Sequence, residues 1–310
     1  MKRLVIDVLI FAIPLIGALI FGLLLPATPY SAKSLLMSQE KKDDLLRKTP
    51  TPRIIFIGGS NLSFGLNSQL IKDSLKLNPI NTAIHASIGI KFMVENTEKY
   101  LQKGDVVVLI PEYNHYYRDL DFGSKELLRM VFDVNRKHLK MLNLKQLFNL
   151  LPHVPKYCLT KFLPIDYLGL RKIETYYSVD AFNQYGDTHT HWGLPKQAFA
   201  PYGSFDLEFN KETIVFLESF NQTVKNKGGL LLVSFPCFQE ASYKNSESKI
   251  LKVQEELLKS KLTVIGSPER YKIPETLMFN TPYHLNKEGT ERRTQLLIED
   301  IKKTKAVSQN

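Results

Sequence analysis

Cysteine and tryptophan are nearly missing from this chain of 310 residues: Cys158, Cys237 and Trp192 are all there is. Two cysteines cannot build a disulfide framework or a four-cysteine zinc site. Two buried free thiols are the preferred reading over a single disulfide. Glycine and proline, at 16 each, are too few for a collagen-like or low-complexity chain. No internal repeat is visible. Blocks of one charge are also missing. The net charge is +10, from 41 Lys and Arg against 31 Asp and Glu, yet Lys41-Lys42 runs straight into Asp43-Asp44, and Arg292-Arg293 stands alone. With no nucleic-acid motif, no nucleic-acid partner is expected. The basic balance reads as a solvated surface beside a membrane. Hydrophobic residues at 44% and charged residues at 23% exclude wholesale disorder.

What is present first is a long apolar run. Leu4 to Leu25 is interrupted only by Asp7. About 22 residues at 1.5 Å rise span roughly 33 Å, enough to cross the hydrocarbon core. A cleaved signal peptide would have a shorter apolar region and small residues before the cut. Here Leu25 stands two before Ala27 and Tyr30 two before Ala32. Residues 1–29 are therefore expected to be an uncleaved single-pass anchor. Lys2 and Arg3 favour a cytoplasmic N-terminus, while Lys33, Lys41 and Lys42 oppose it, so charge alone does not orient the span.

Residues 30–52 are polar and read as a tether with one weak helical stretch, Ser34–Arg47. From Arg53 an α/β rhythm begins. Short apolar runs at 53–58, Ile80–Ile84 and Asp105–Ile110 predict buried strands. Between them lie helical patterns at Leu66–Leu77 and Phe92–Leu101. The rhythm resumes with a helix at Lys211–Lys227, a strand at Leu230–Phe235, a helix at Glu247–Lys261, a strand at Leu262–Ile265 and a last helix at Asn286–Lys303. The expected fold is a three-layer α/β/α domain over 53–305 with a five-stranded parallel sheet. A long insertion at 116–210, after the third strand, is expected to form a cap or a wall of the site.

Two motifs fall where such sheets bind ligands, at the carboxyl ends of their strands. Gly58-Gly59-Ser60-Asn61 follows the first strand. It is neither a phosphate loop nor a dinucleotide fingerprint. Its glycines permit a tight turn that points backbone N–H groups at a developing oxyanion. Tyr283-His284-Leu285-Asn286 precedes the last helix. A serine after strand one and a histidine after strand five can meet as nucleophile and base, with Ser60 Oγ expected within about 3.5 Å of a ring nitrogen. In the insertion, Asp187, His189 and His191 lack the further ligands of a metal site and read as polar loop residues. Tyr185, Trp192 and Tyr202 read as cap core, with stacking on sugar rings as the alternative. His85 reads as a structural partner.

On these motifs the chain resembles the SGNH (GDSL-like) hydrolases, over Arg53–Asp119 and Lys211–Lys303. The resemblance implies a flavodoxin-like sheet, Ser60 as nucleophile and His284 as general base. It implies an oxyanion hole from the N–H groups of Ser60 and of Gly89, in Ala86-Ser87-Ile88-Gly89. No metal or organic cofactor is implied. Two departures stand out. The third block reads Pro111-Glu112-Tyr113-Asn114, so either Asn114 supplies the remaining oxyanion donor by a register shift or the hole has only two donors. The position of the usual aspartate is Thr281, one residue after Asn280. The site is therefore a Ser–His dyad, a triad assisted by Asn280, or one completed by Glu112. More narrowly, the chain looks like membrane-anchored members associated with acylation of bacterial surface polysaccharide. That implies a serine esterase or O-acyltransferase at the cytoplasmic membrane, its body facing the periplasm or exterior. The implied partners are a surface polysaccharide or lipid-linked glycan and a membrane-bound O-acyltransferase. The alternative is a non-catalytic accessory with a degenerate site.

Overall fold

The computed structural model describes residues 2–204 and 206–304, so the expected anchor start and the domain end at 305 lie outside the described residues. The central sheet holds β1 (Arg53–Gly58), β2 (Asn78–Asn81), β3 (Val106–Ile110), β4 (Leu230–Val233) and β5 (Thr263–Val264). They lie in the order β2-β1-β3-β4-β5, all parallel, the order of a flavodoxin-like sheet.

Alternation along these strands builds the two outer layers. Ile55, Ile57, Val107, Leu109, Leu231 and Val233 face one core. There they meet helices at Ile90–Glu98, Lys211–Asn226 and Glu247–Lys259. Ile54, Phe56, Val106, Val108 and Leu232 face the other. That side is covered by Ser68–Leu75 and Lys287–Lys303 through Ile71, Leu297 and Ile301. The period of two sorts these side chains to opposite faces, and a parallel sheet covered on both faces needs strands that are apolar throughout. Ile57→Ala, at a fully buried position, would cost roughly 2–5 kcal/mol.

The second strand lies earlier than the apolar run 80–84 predicts. At Asn81 the side chain takes over: its Oδ1 accepts from Ala83 N–H at 3.1 Å, and its Nδ2 donates to Leu62 O at 3.1 Å. This local turn ends the strand and leads the chain out over the sheet edge.

Helix α1 (Lys2–Leu24) is one apolar helix long enough to cross a membrane, with a mean hydropathy of 2.8. The segment expected as a tether is not free. After two short 3₁₀ turns it forms α2 (Ser38–Lys48), whose Leu46 is fully buried in the main core beside Leu35 and Leu36. Lys42 is buried too, donating to Asn81 O at 3.0 Å and Gly186 O at 2.7 Å. Burial pulls its ammonium down to about 7, against the opposing pull of Asp187. The insertion is a series of short helices and 3₁₀ turns, among them Lys125–Arg129, Leu144–Leu150 and Val154–Thr160.

Candidate active site

Three loops meet at the carboxyl end of the sheet. The first leaves β1 at Gly59. A Cβ there would come within 2.7 Å of Glu112 Oε1 and 2.8 Å of Ala86 Cβ, so only glycine lets the loops after β2 and β3 close on this turn. Ser60 then opens a short helical turn, Ser60–Ser63. Its backbone N–H has no partner among the described residues.

The second loop carries Glu112. Its Oε1 accepts from Asn61 N–H at 3.2 Å and from Ser60 Oγ at 3.4 Å. Burial pushes this carboxyl up to about 7, against the hydrogen bonds from Asn61 and Ser60. His115 braces the loop, its Nδ1 accepting from Glu112 N–H and its Nε2 facing Ala86 O at 3.0 Å. Tyr113, at the position straight alignment gives to the oxyanion asparagine, is fully buried with its ring against Phe238. Asn114 lines the cavity in front of Ser60.

The third element is a hairpin, Met278–Thr281 paired with His284–Leu285. Thr281 is spent on it: its Oγ1 accepts from the backbone N–H of Tyr283 and of His284, both at 3.2 Å. Asn280 Oδ1 lies 2.8 Å from His284 Nδ1, while Asn280 Nδ2 donates to Tyr177 Oη at 3.0 Å. With the amide in this orientation Nδ1–H donates to Oδ1, and Nε2 is left as the proton acceptor. The ring stacks on Phe64, centroids 4.1 Å apart and planes 9° from parallel. Burial, then the nearby His85 and His191, lower His284 to about 3, so the imidazole is neutral at ordinary pH.

Ser60, Asn114 and His284 line one cavity of about 820 Å³, with Asn280 behind the histidine. The Ser60–His284 hydrogen bond expected from the topology is not formed among the described residues; the hydroxyl is turned to Glu112. Gly89 does not join them. Its N–H donates to Ala86 O at 3.0 Å, closing a turn, and its φ of 93° sets the start of the helix that follows. It does not line the cavity, whereas Ala86 does, with a backbone N–H that has no partner among the described residues.

Asp187, His189 and His191 go to separate partners. Asp187 accepts from Ser68 and Asn81, His189 faces Ala181 O, and His191 faces Leu285 O at 2.9 Å. Tyr202 and His85 line the cavity; Tyr185 and Trp192 do not. Phe64 and Tyr177, which position the histidine, carry no sequence signal. Nor did the supposed tether announce that Tyr30, Ser34 and Leu35 would form a cavity wall with Arg129.

Fold and cavity together define an α/β protein with a flavodoxin-like sheet and a polar site at its carboxyl end. The crystal structure of the YxiM protein from Bacillus subtilis is similar with a TM-score of 0.37 and 14% identity, over 82% of this chain and 57% of that chain. No family model matches the chain, and no curated protein does.

Proposed function

We propose that the chain is a membrane-anchored serine acyl-ester enzyme of the SGNH type, an esterase or O-acyltransferase. What supports this is one observation: a serine after β1 and a neutral histidine, its Nδ1 held by Asn280, share one cavity at the carboxyl end of the sheet. In this reading Ser60 turns from Glu112, and its Oγ attacks the acyl carbonyl. Its proton passes to His284 Nε2, and the carbonyl becomes an oxyanion. Donors for it are the N–H groups of Ser60 and Ala86 and the side chain of Asn114, with Ala86 taking the place first given to Gly89. Collapse breaks the bond to the leaving oxygen, which takes the proton from His284. Water, or a sugar hydroxyl in transfer, then releases the acyl group from Ser60 by the same steps. Asparagine fixes the ring but supplies no negative charge to an imidazolium.

The substrate class in this reading is an acyl ester, such as acetyl, on a surface polysaccharide or its lipid-linked precursor. The body would face outward from the cytoplasmic membrane and work with a membrane-bound O-acyltransferase. Tyr202, half-exposed at the cavity, has the shape to stack on a sugar ring. A second reading has one observation in its favour: the Ser60 hydroxyl is bonded to a carboxyl group, not to the histidine. That suits a non-catalytic accessory that binds the same glycan. A fluorophosphonate probe separates the two. Labelling that disappears in Ser60→Ala supports the enzyme; no labelling of the folded, native chain sinks it.

A further inference from the structure

The end of α1 does not project freely from the body. It lies on the insertion helix Val154–Thr160. Cys158 Sγ donates to Leu19 O at 3.3 Å, and Gly22 meets Cys158 so closely that a Cβ would stand 2.7 Å from Cys158 Cβ. Phe21 and Phe162 stack at 6.4 Å. Beyond the helix, the Arg136 guanidinium donates to Leu24 O, Lys161 Nζ to Pro26 O at 3.0 Å, and Thr28 Oγ1 to Asp166 at 3.2 Å. Residues 136–166 are thus fixed to the last turns of the apolar helix and to its exit. Leu19 to Leu24 covers about 8 Å of helix axis, so whatever packs beside it shares the depth of those turns.

This same segment is where the large apolar side chains lack cover. Leu144, Phe148, Leu151, Leu159, Phe162 and Leu168 are 56–74% exposed. Elsewhere in the body, exposed large apolar residues are sparser, with Val215 on one helix and Leu251 and Leu258 on another, which needs no explanation. Between residues 139 and 172 the exposed charged side chains are Lys140, Lys145, Lys156, Arg171 and Lys172, while Lys161 is buried against Asp133. Asp166 is buried too. Apolar anchors with a basic rim are the pattern of an element lying in the headgroup and acyl boundary of an anionic leaflet.

We propose that residues 139–172 form a lipid-seated platform, immersed in the outer boundary of the same bilayer that α1 crosses. The occupant of the exposed apolar face is lipid. The proposal rests on the reading of α1 as a membrane span. It accounts for two facts at once: exposed large apolar side chains are concentrated in the segment packed against the end of α1, and the exposed charges of that segment are basic. It also sets the working cavity beside the bilayer surface. Tyr30, Ser34 and Leu35, a few residues past the end of α1, line one side of that cavity, and Ile173, just past the platform, lines it too. An acyl ester carried on a lipid could reach Ser60 without leaving the membrane.

The test uses the full chain in vesicles of phosphatidylcholine and phosphatidylglycerol. Trp192 is the one tryptophan, and its indole N–H has no hydrogen-bond partner among the described residues. Trp192→Phe is therefore a mild, spectrally silent background. Single tryptophans are placed by Leu159→Trp, Phe162→Trp and Leu168→Trp on the platform. Ile13→Trp reports the span, and Leu258→Trp reports the body. Platform tryptophans should emit to the blue of Leu258→Trp and lose most of their emission in brominated lipid, while aqueous iodide quenches only Leu258→Trp. Quenching of Ile13→Trp by brominated lipid, with iodide-accessible platform tryptophans, overturns the platform and leaves the span standing. Platform tryptophans shielded from both quenchers overturn it in favour of a protein-covered face. An unquenched Ile13→Trp removes the span itself, and the platform with it.

Discussion

The two ends of the strand pair β1 and β3 treat the same chemistry in opposite ways. At the amino end, Arg53 meets Asp105, both fully buried. Its Nη2 lies 2.5 Å and its Nε 2.8 Å from the two carboxylate oxygens. Arg53 also donates to Leu46 O and Tyr100 O, and Asp105 accepts from Gln102 N–H. Every polar atom has a partner. At the carboxyl end, Glu112 is also buried but makes no ion pair among the described residues, and Arg118 acts on it only at a distance. Its neighbours are a serine hydroxyl and one N–H, and its proton affinity rises accordingly. Beside it, the N–H groups of Ser60 and Ala86 are unspent. A saturated network holds structure. An unsaturated one keeps donors and a movable proton for something not yet bound.

The largest expected effect that would sharpen this contrast comes from Ser60→Ala. Acyl-probe labelling or turnover should fall by at least about 10³-fold, while unfolding free energy stays within about 0.5 kcal/mol. Full activity in this variant would break the carboxyl-end half of the comparison. Next is Arg53→Met. Leaving Asp105 buried and unpaired should remove about 3–5 kcal/mol of stability in denaturant melts. A loss below about 1 kcal/mol would show that the amino end is not the structural one.

The third effect is a pH dependence. The pKa of Glu112 is raised on folding, so between its unfolded value near 4.5 and about 7 the native state binds the extra proton. Its contribution is whole below the unfolded value and is lost as pH rises through about 7. Glu112→Gln should flatten that fall, worth on the order of 3 kcal/mol at most, in melts taken from pH 4 to 8. If Glu112 is the group that supports catalysis, the same variant also loses activity. An unchanged profile means the carboxyl is solvated. The smallest effect is Asn280→Ala. Losing one neutral hydrogen bond to the imidazole costs about 1 kcal/mol, roughly fivefold in rate. Asn280→Asp should raise activity, because a carboxylate favours the imidazolium that an amide does not. Equal rates in both variants would remove Asn280 from the mechanism.

Much of this was legible in sequence, and where it was not the reasons are physical. Continuous runs such as 105–110 declare a buried parallel strand by themselves. The run at 80–84 misleads by a few residues, because the Asn81 amide ends the strand through bonds to Leu62 and Ala83. The segment 30–52 reads as a tether because its buried Lys42 and Asp43 look solvated. Apart from Gln39, which donates to Asp43, their partners Asn81, Gly186 and Asn96 are far off in the chain. Ser60 and His284 stood in motifs, while Asn280 was one of three alternatives for the third partner. Gly89 was a reasonable candidate from its block, but a turn consumes its N–H. The closeness of Glu112 to Ser60 depends on how tightly Gly59 lets two loops approach, which no local pattern encodes.

Lys42 has one further consequence, and it concerns time. A single ammonium group closes contacts 39 and 144 residues apart in sequence, holding α2, the end of β2 and the insertion together. Long-range closures of this kind are reached late, since the chain entropy they consume is recovered only once other contacts are in place. The β3–β4 pairing closes a comparable stretch, Val106 to Leu230, so the fastening and the far half of the sheet carry similar closure costs.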